Sequence, residues 1–421
     1  MRSLDRFPTN HSRWRERLNQ AGFALLAAYV LAGIIYSVML PPVARYTDES
    51  DYLILTHHLL HGPGYSMDGV HLTASRPPGY SFFIAPIEAL GGGFTGVRIV
   101  HFLLLGASVL LVCRLWGEGE LFAGPLIVTG LVALYPVLFY VAGTLYPQTL
   151  SAFLFLAALG LMLAEPGTIG RRFLAGLVFG VLILVVPTFL LTLFVLLPVA
   201  IAVRLLTWRD AAVVALAAAL VVGSWTARNA VVFHRFVPVA SNSGMNLLEG
   251  NNPGASPLEA AANAAMGPYF LQADALRLDE FQRDAYYKDA AVAWIRSHPG
   301  SALVLYLKKV LNFFNVVNSY SSSTQGEAST WRQATLAASY LLLMGLLAWR
   351  LAEARQHPLV AREKLFLAVY VLTAFTSAIF FTRIRHRLPF DFLIIAVVAP
   401  HLGRQLQHWL RGTETAVPSR G

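Results

Sequence analysis

Three carboxylates lie within four positions of the segment RYTDESDYLI, directly after the first long apolar run of the chain. Close carboxylates repel one another, which raises the pKa of at least one of them, and each can act as a base or as a hydrogen-bond acceptor. If residues 46–54 form a helix, Asp48 and Asp51 share a face with Tyr52, while Glu49 points aside. A carboxylate here could take a proton from an incoming hydroxyl during group transfer from a phosphate leaving group. The alternative interpretation is an exposed, solvated start of a helix.

A metal site is a competing interpretation of the same region, because His57, His58 and His61 follow the acidic cluster in the stretch THHLLHG. Their spacing does not match the His and Cys patterns of zinc sites, and the stretch fits the end of a helix better. We therefore predict no metal site and no certain cofactor, while a divalent cation stays compatible with the acidic cluster.

A basic cluster, Arg383, Arg385, His386 and Arg387, lies in the stretch TRIRHRLPF between the last two apolar runs. Counting the apolar runs places it outside the membrane, where basic clusters are disfavoured. Guanidinium groups bind phosphate oxygens through paired hydrogen bonds, so the cluster predicts a phosphate or pyrophosphate ligand. The alternatives are phospholipid headgroups and a span count that is wrong by one.

Two more arginines are expected on the same side. In TASRPPGYSFF, the prolines Pro77 and Pro78 disfavour helix before them, so Arg76 should lie at the start of a surface helix that begins near Tyr80. A side chain at the start of a surface helix lies at the depth of the lipid headgroups, and this depth suits the phosphate of a lipid. Arg228, in SWTARNAVVF at the outer end of a span, is a further candidate. The alternatives are an arginine that snorkels from a surface helix and one that caps a span.

The composition indicates where such residues must be held. The 421 residues are 56% hydrophobic and only 13% charged, with a mean hydropathy of +0.57. Soluble domains carry about 25% charged residues, so we predict a membrane protein. The net charge of +9 does not indicate nucleic acid, because the basic residues lie at the ends of apolar segments, where they set topology and bind membrane lipids. The single cysteine, Cys113, allows no intrachain disulfide.

The apolar runs predict an all-α polytopic membrane protein with about ten transmembrane helices and juxtamembrane helices on the outer side. Five arginines keep residues 1–20 cytoplasmic, and residues 407–421 are predicted to be a cytoplasmic tail. The transmembrane domain covers residues 21–406, with external loops at 42–95 and 228–332. The predicted spans lie at about 21–40, 97–116, 121–140, 147–164, 172–187, 188–206, 210–227, 333–351, 364–382 and 389–406.

The second external loop is predicted to carry helices that lie on the membrane surface. Tyr287, Ala291, Trp294 and Ile295 recur at helical spacing between charged residues. Residues 301–318 contain two central lysines, and a lysine at mid-bilayer disfavours insertion by roughly 2.5–3.5 kcal/mol. We therefore expect this stretch to be interfacial and not a span.

Three stretches of the chain resemble the GT-C glycosyltransferases, in particular family 39, which includes bacterial protein mannosyltransferase-like and aminoarabinose-transferase-like membrane proteins. The first is the external loop with YTDESDYL, HGPGYSMDG and TASRPPGYSFFIAPI, the second is SWTARNAVVFHRFVPVASNSGMNLLEGNNP, and the third is FFTRIRHRLPFDFLIIA. The resemblance covers about residues 20–405. It implies that a sugar is transferred from a polyprenyl-phosphate donor to a protein, lipid or glycan acceptor at the periplasmic face of a bacterial inner membrane.

The resemblance also implies roles for single residues. Asp48 corresponds to the base or acceptor-orienting group, with Glu49 as its companion, and Arg76 corresponds to the contact with the lipid phosphate. Gln148, in LYPQTL, is a departure, because relatives often carry an acidic residue there. The predicted phosphate ligands are Arg76, Arg228, Arg383, Arg385 and Arg387, and further donor or acceptor contacts are expected from Asp51, Tyr52, Tyr80, His386, Asn246 and Asn251.

Two other functions stay open at this point. Many spans with an external anion site also fit a transporter or flippase of lipid-linked or anionic substrates, although transporters usually place charges and broken helices near mid-bilayer. A ligase or polymerase of lipid-linked glycans would use the same kind of donor on the same side.

Overall fold

The computed structural model describes residues 10–117, 120–257, 264–316 and 330–415. The predicted cytoplasmic ends, 1–20 and 407–421, and the loop 228–332 therefore lie partly outside the described residues. Within the described ranges the regular structure is helical, as predicted, beside one isolated bridge between Ser66 and Leu72. The α-helices are α1 (Asn10–Met39), α2 (Thr47–His61), α3 (Pro78–Ala89), α4 (Gly93–Arg114), α5 (Gly124–Ala133), α6 (Pro136–Ala142), α7 (Gln148–Leu163), α8 (Ile169–Val185), α9 (Phe189–Ala202), α10 (Trp208–Phe233), α11 (Ser243–Gly250), α12 (Gly267–Ala275), α13 (Glu280–Ser297), α14 (Pro299–Phe313), α15 (Thr330–Ala352), α16 (Ala361–Ser377) and α17 (Ile384–Thr415).

Several of these helices are long and apolar enough to cross a membrane. By length and composition, four qualify within the described residues, and a fifth candidate is the bent pair α5 and α6. The all-helical membrane fold predicted from the sequence is thus confirmed, whereas the count of ten spans stays a prediction. The four stretches are Arg13–Met39, Gly93–Arg114, Trp208–Phe233 and Gln333–Arg355.

The stretch predicted to span the membrane at about 121–140 forms two helices that meet at 78°, so the span stays a prediction but is not one straight helix. The break comprises Leu134 and Tyr135, directly before Pro136. Proline lacks a backbone N–H and disfavours the helical conformation in the residue before it. Tyr135 accordingly has φ −117° and ψ 73°, outside the helical region.

Helix α17 is enclosed by the other helices. Residues 387–401 are all buried, and the helix packs against α5, α7, α15 and α16. Inside the bundle, Arg387 pairs with Asp391 at 3.3 Å, and Asp391 also accepts hydrogen bonds from the hydroxyls of Tyr135 (2.7 Å) and Tyr370 (3.0 Å). These partners satisfy the buried charges, which would otherwise strongly destabilise the fold.

The second external loop contributes α11 to α14. In α13, Tyr287 and Ala291 are buried and Trp294 and Ile295 are half-buried, which confirms the periodicity predicted for this stretch. The helix begins at a capping box in which Asp279 accepts hydrogen bonds from the backbone of Phe281 and Gln282. Helix α13 packs on α11.

The two lysines of α14 have different environments. Lys308 is exposed, whereas Lys309 is buried. The Lys309 ammonium donates to the carbonyl oxygens of Gly250 (3.1 Å) and Phe380 (2.8 Å) and to Oδ1 of Asn251 (3.1 Å). Protein oxygens therefore satisfy a charge that hydrocarbon could not accept. The interfacial placement predicted for residues 301–318 stays a prediction, and its last two residues lie outside the described ranges.

Candidate active site at the junction of two cavities

The carboxylate of Asp48 accepts hydrogen bonds from three side chains that come from distant parts of the chain. Arg76 Nη2 donates to Oδ1 at 2.8 Å, and Oδ2 accepts from Tyr146 Oη at 3.0 Å and from Arg385 Nη1 at 3.2 Å. Burial alone would raise the pKa of Asp48, but Arg385, Arg76 and Tyr146 together hold it below its ordinary value. Asp48 is therefore an ionised carboxylate at neutral pH.

Glu49 holds the helix that presents Asp48. Its fully buried carboxylate accepts hydrogen bonds from the backbone N–H groups of Arg45 (2.5 Å), Tyr46 (3.2 Å) and Leu145 (2.8 Å). These bonds cap the start of α2 and fix it to the turn that carries Tyr146. The expectation that Glu49 points away from Asp48 and Asp51 agrees with this geometry. Glu49 lines neither of the two cavities described below. No contact in the structure therefore supports the catalytic role predicted for Glu49.

Arg76 bridges the two aspartates of α2. Besides Asp48, it binds Oδ2 of Asp51 at 2.5 Å, and Asp51 also lines the larger of the two cavities described below. The Tyr65 hydroxyl donates to the carbonyl oxygens of Arg76 (3.1 Å) and Pro77 (3.0 Å), which fixes the backbone before α3. Helix α3 begins at Pro78, close to the start predicted near Tyr80.

The basic cluster at the start of α17 divides into separate environments. Arg385 reaches Asp48 and lies over the Tyr146 ring at 4.8 Å from its centroid. Arg383 pairs with Glu249 of α11 at 2.8 Å. Burial and repulsion from Arg385 lower the pKa of Arg383 to about 10, so it stays charged, while burial raises the pKa of Glu249.

The other two members of the cluster do not bind Asp48. Arg387 points into the bundle towards Asp391 and donates to the carbonyl oxygen of Phe313 at 2.9 Å, and it lines neither cavity described below. His386 is half-buried, and burial together with the neighbouring arginines lowers its pKa to about 3. A neutral imidazole adds no positive charge to the site.

Arg228 lies apart from the acidic cluster. It donates to the carbonyl oxygen of Thr73 at 3.1 Å and lies over the rings of Trp225 and Phe233, 4.7 and 5.0 Å from their centroids. It lines neither cavity, so the structure does not bring it to the other predicted phosphate ligands.

The remaining predicted contacts divide in the same way. Tyr52 and Asn246 line the cavities. Tyr80 is fully buried, with its hydroxyl 3.2 Å from Nε2 of His101 and its ring against Tyr52. Asn251 is buried and accepts a hydrogen bond from Lys309, and it lines neither cavity, so the structure does not bring it to the predicted ligand site.

Two cavities meet at Asp48. The first has a volume of about 320 Å³ and runs between α7, α9, α16 and α17, past apolar side chains such as Val185, Phe189, Leu190 and Phe390 and past several serines and threonines. The second, of about 960 Å³, is bordered by α2, α11, α12 and α13, and several charged side chains line it, among them Glu249, Glu280, Arg283 and Asp284. We refer to the first as the apolar cavity and to the second as the polar cavity. The residues that line both are Asp48, Arg76, Tyr146, Asn242, Asn246, Phe381 and Arg385.

Two participants were not identified from the sequence. Tyr146, in the turn before α7, bonds to Asp48 and stacks under Arg385, and Glu249 neutralises Arg383. Tyr146 could have been identified from the sequence LYPQTL, because it lies at the end of an apolar run and directly before a proline. Glu249 gave none, because a single acid in a long loop usually lies in solvent.

No metal-binding group is apparent in the described part of the chain, where no three His, Cys, Asp or Glu side chains are arranged to hold an ion. Of the three histidines considered above, His58 lies with Nδ1 at 2.9 Å from the carbonyl oxygen of Ser66. His57 and His61 pack their rings together at 5.1 Å between centroids. The histidines thus contribute to the end of α2.

Comparison with known proteins gives a limited result. No protein-family profile and no curated protein matches the sequence. Among solved structures, the chain is similar to the crystal structure of ArnT from Cupriavidus metallidurans bound to undecaprenyl phosphate, with a TM-score of 0.42 and 15% identity over 91% of this chain and 78% of that one. The chain is also similar to the apo structure of the same protein, with a TM-score of 0.41 and 13% identity over 90% of this chain and 78% of that one. Likeness of this degree does not establish a family, so function must be argued from the site.

Proposed function

We propose that this protein is a membrane glycosyltransferase that moves a sugar from a polyprenyl-phosphate donor to a hydroxyl-bearing acceptor. The observation that carries the proposal is the position of Asp48, an ionised carboxylate between two arginines, at the junction of a cavity that contains Phe189, Leu190 and Phe390 and a second cavity with charged walls. A lipid-linked sugar needs these features together: a site for hydrocarbon, cations for phosphate and a base at the point where they meet.

The donor fits the apolar cavity. Its phosphate would lie at the guanidinium groups of Arg76 and Arg385, which both face the junction. Guanidinium groups bind phosphate oxygens in pairs and stabilise the charge that develops on a leaving phosphate. The first part of the lipid would contact Phe189, Leu190 and Phe390, and the rest would continue into the bilayer.

In the reaction, Asp48 accepts the proton of the acceptor hydroxyl, whose oxygen attacks the anomeric carbon of the sugar. The bond from that carbon to the phosphate oxygen breaks, and its electron pair leaves with the polyprenyl phosphate. A single displacement of this kind inverts the configuration at the anomeric carbon. A bound phosphate would compete with Asp48 for Arg76 and Arg385, and would thereby make the carboxylate a stronger base when the donor is present.

The acceptor would enter through the polar cavity. Its walls contain Asn246 and the carboxylates of Glu280 and Asp284, all of which can hydrogen-bond to hydroxyl groups. Protein, lipid and glycan acceptors can all present a hydroxyl, and each remains a candidate. The predicted topology puts the site on the outer side of the membrane, and the resemblance to the GT-C glycosyltransferases leads us to propose the periplasmic face of a bacterial inner membrane.

The test is sugar transfer by Asp48→Asn in membrane vesicles supplied with polyprenyl-phosphate sugar. We expect the rate to fall on the order of 100- to 10,000-fold, because the amide cannot accept the proton, while donor binding persists. Asp68→Asn is the matched control, since Asp68 pairs with His71 on an exposed loop and lines neither cavity.

Undiminished transfer by Asp48→Asn would remove this residue from the mechanism. If vesicles carry the lipid-linked sugar across the bilayer without forming a new glycosidic bond, the protein is instead a transporter.

A further inference from the structure

Two polar side chains on the walls of the apolar cavity lack hydrogen-bond partners. Gln148, the first residue of α7, is 7% exposed, and Thr373 of α16 is 2% exposed. Within the described residues, neither the carboxamide oxygen Oε1 of Gln148 nor the hydroxyl of Thr373 forms a hydrogen bond. Both residues line the apolar cavity.

Such groups are unusual, because nearly all buried polar atoms in folded proteins are hydrogen-bonded. A threonine inside a helix commonly donates to the carbonyl oxygen four residues earlier. Thr226 does so to Val222 at 2.9 Å, and Thr56 to Tyr52 at 2.7 Å. The Thr373 hydroxyl makes no such bond. Leaving a polar group buried and unpaired destabilises a protein, so a ligand that supplies partners would recover this energy.

We propose that Gln148 and Thr373 hydrogen-bond the hydroxyl groups of the sugar in the lipid-linked donor and thereby select it. This inference rests on the function proposed above. The other two parts of the donor have partners of different chemistry: the phosphate faces Arg76 and Arg385, and the hydrocarbon faces apolar side chains. A neutral amide and a neutral hydroxyl suit neither charge nor hydrocarbon, whereas each can donate to and accept from a sugar hydroxyl.

The location agrees with that role. Gln148 follows Tyr146 by two residues, and the Tyr146 hydroxyl binds the carboxylate of Asp48. A sugar whose anomeric carbon lies at Asp48 would therefore have its ring hydroxyls beside the start of α7. Thr373, on α16, faces the same cavity from another wall.

The experiment uses the full-length protein with Gln148→Met and Thr373→Val, which keep the shape of each side chain but remove its hydrogen-bonding groups. Thr129→Val is the matched control, because Thr129 is also buried with an unpaired hydroxyl, but it lies in α5 away from both cavities. The probes are polyprenyl phosphates that carry glucose, mannose or arabinose, and the same polyprenyl phosphate without a sugar. The measurements are binding affinity for each probe and the melting temperature of the ligand-free protein.

We expect Gln148→Met and Thr373→Val to bind the preferred sugar-bearing lipid about 3- to 10-fold more weakly, as for the loss of one neutral hydrogen bond. Binding of the bare polyprenyl phosphate should not change, and Thr129→Val should bind both lipids as the wild type does. The melting temperatures of all three variants should stay level or rise, because each removes an unpaired polar group.

A lower melting temperature in Gln148→Met and Thr373→Val, with sugar-lipid binding unchanged, would assign these residues a structural role and overturn the proposal. Equal weakening for the bare lipid phosphate would also overturn it, because the contacts would then be to the lipid. These binding results do not depend on turnover. Loss of the proposed enzymatic function would appear separately, as absence of transfer by the wild type.

Discussion

Replacing Arg76 by glutamine tests whether the arginine beside Asp48 binds the donor phosphate. A charge-assisted contact of this kind contributes about 1.5–3 kcal/mol, which corresponds to roughly 10- to 150-fold in affinity. Arg76 is already paired with Asp48 at 2.8 Å and Asp51 at 2.5 Å, and it must give up part of that pairing to bind phosphate. We therefore expect the lower part of the range, roughly 10- to 30-fold weaker binding.

The assay is binding of polyprenyl phosphate to purified Arg76→Gln, measured at low and high salt because ion pairs are screened. The control is Arg228→Gln. Arg228 was predicted from the sequence to bind phosphate but lines neither cavity, so its loss should change affinity by less than about threefold. Wild-type affinity in Arg76→Gln, or equal weakening in both variants, would refute the assignment of the phosphate to the Asp48 junction.

Two further predictions concern Asp48 and Lys309. Because its arginine partners hold the pKa of Asp48 below 3.8, its stabilising contribution is complete above that value and is lost as the pH falls through the depressed folded pKa. Arg76→Gln should shift this loss to higher pH, and melting curves between about pH 2 and pH 6 that superimpose on those of the wild type would contradict the coupling. Lys309→Met removes the donor shared by Gly250, Asn251 and Phe380, so we expect a lower melting temperature and faster amide exchange in residues 379–383. The exposed neighbour provides the control Lys308→Met, and similar changes in both variants would show that the buried contacts are not the cause.

The sequence predicted the part of the site that depends on neighbouring residues. Asp48, Asp51 and Tyr52 follow from helical spacing, and the start of α3 follows from Pro77 and Pro78. Proline and helical periodicity act over a few residues, so they can be interpreted without a tertiary structure.

The contacts between distant segments could not be obtained in this way. Arg383, Arg385 and Arg387 are neighbours in the chain, yet their carboxylate partners are Glu249, Asp48 and Asp391. Helical rotation turns Arg387 into the bundle, where Asp391 lies one turn further along. Composition indicated a basic cluster but not which side chain faces which partner.

The interpretation of Lys309 shows a related limit. The free energies of membrane insertion used for residues 301–318 apply to a side chain in contact with lipid. The ammonium group of Lys309 instead donates to three protein oxygens. Similarly, Glu49 was expected beside a reacting group, but three backbone N–H groups hold it at the start of α2.

The enclosed position of α17 has a consequence for biosynthesis. This helix carries Arg385 at its start and buries residues 387–401 among helices that precede it in the chain. If α17 spans the membrane as predicted from the sequence, the earlier helices should enter first and leave a space that α17 fills later. Arg387 and Asp391 would be poorly tolerated by lipid, so α17 should depend on those helices for its insertion. The junction of the two cavities would then form late, because Arg385 reaches Asp48 only after α17 has packed among the earlier helices.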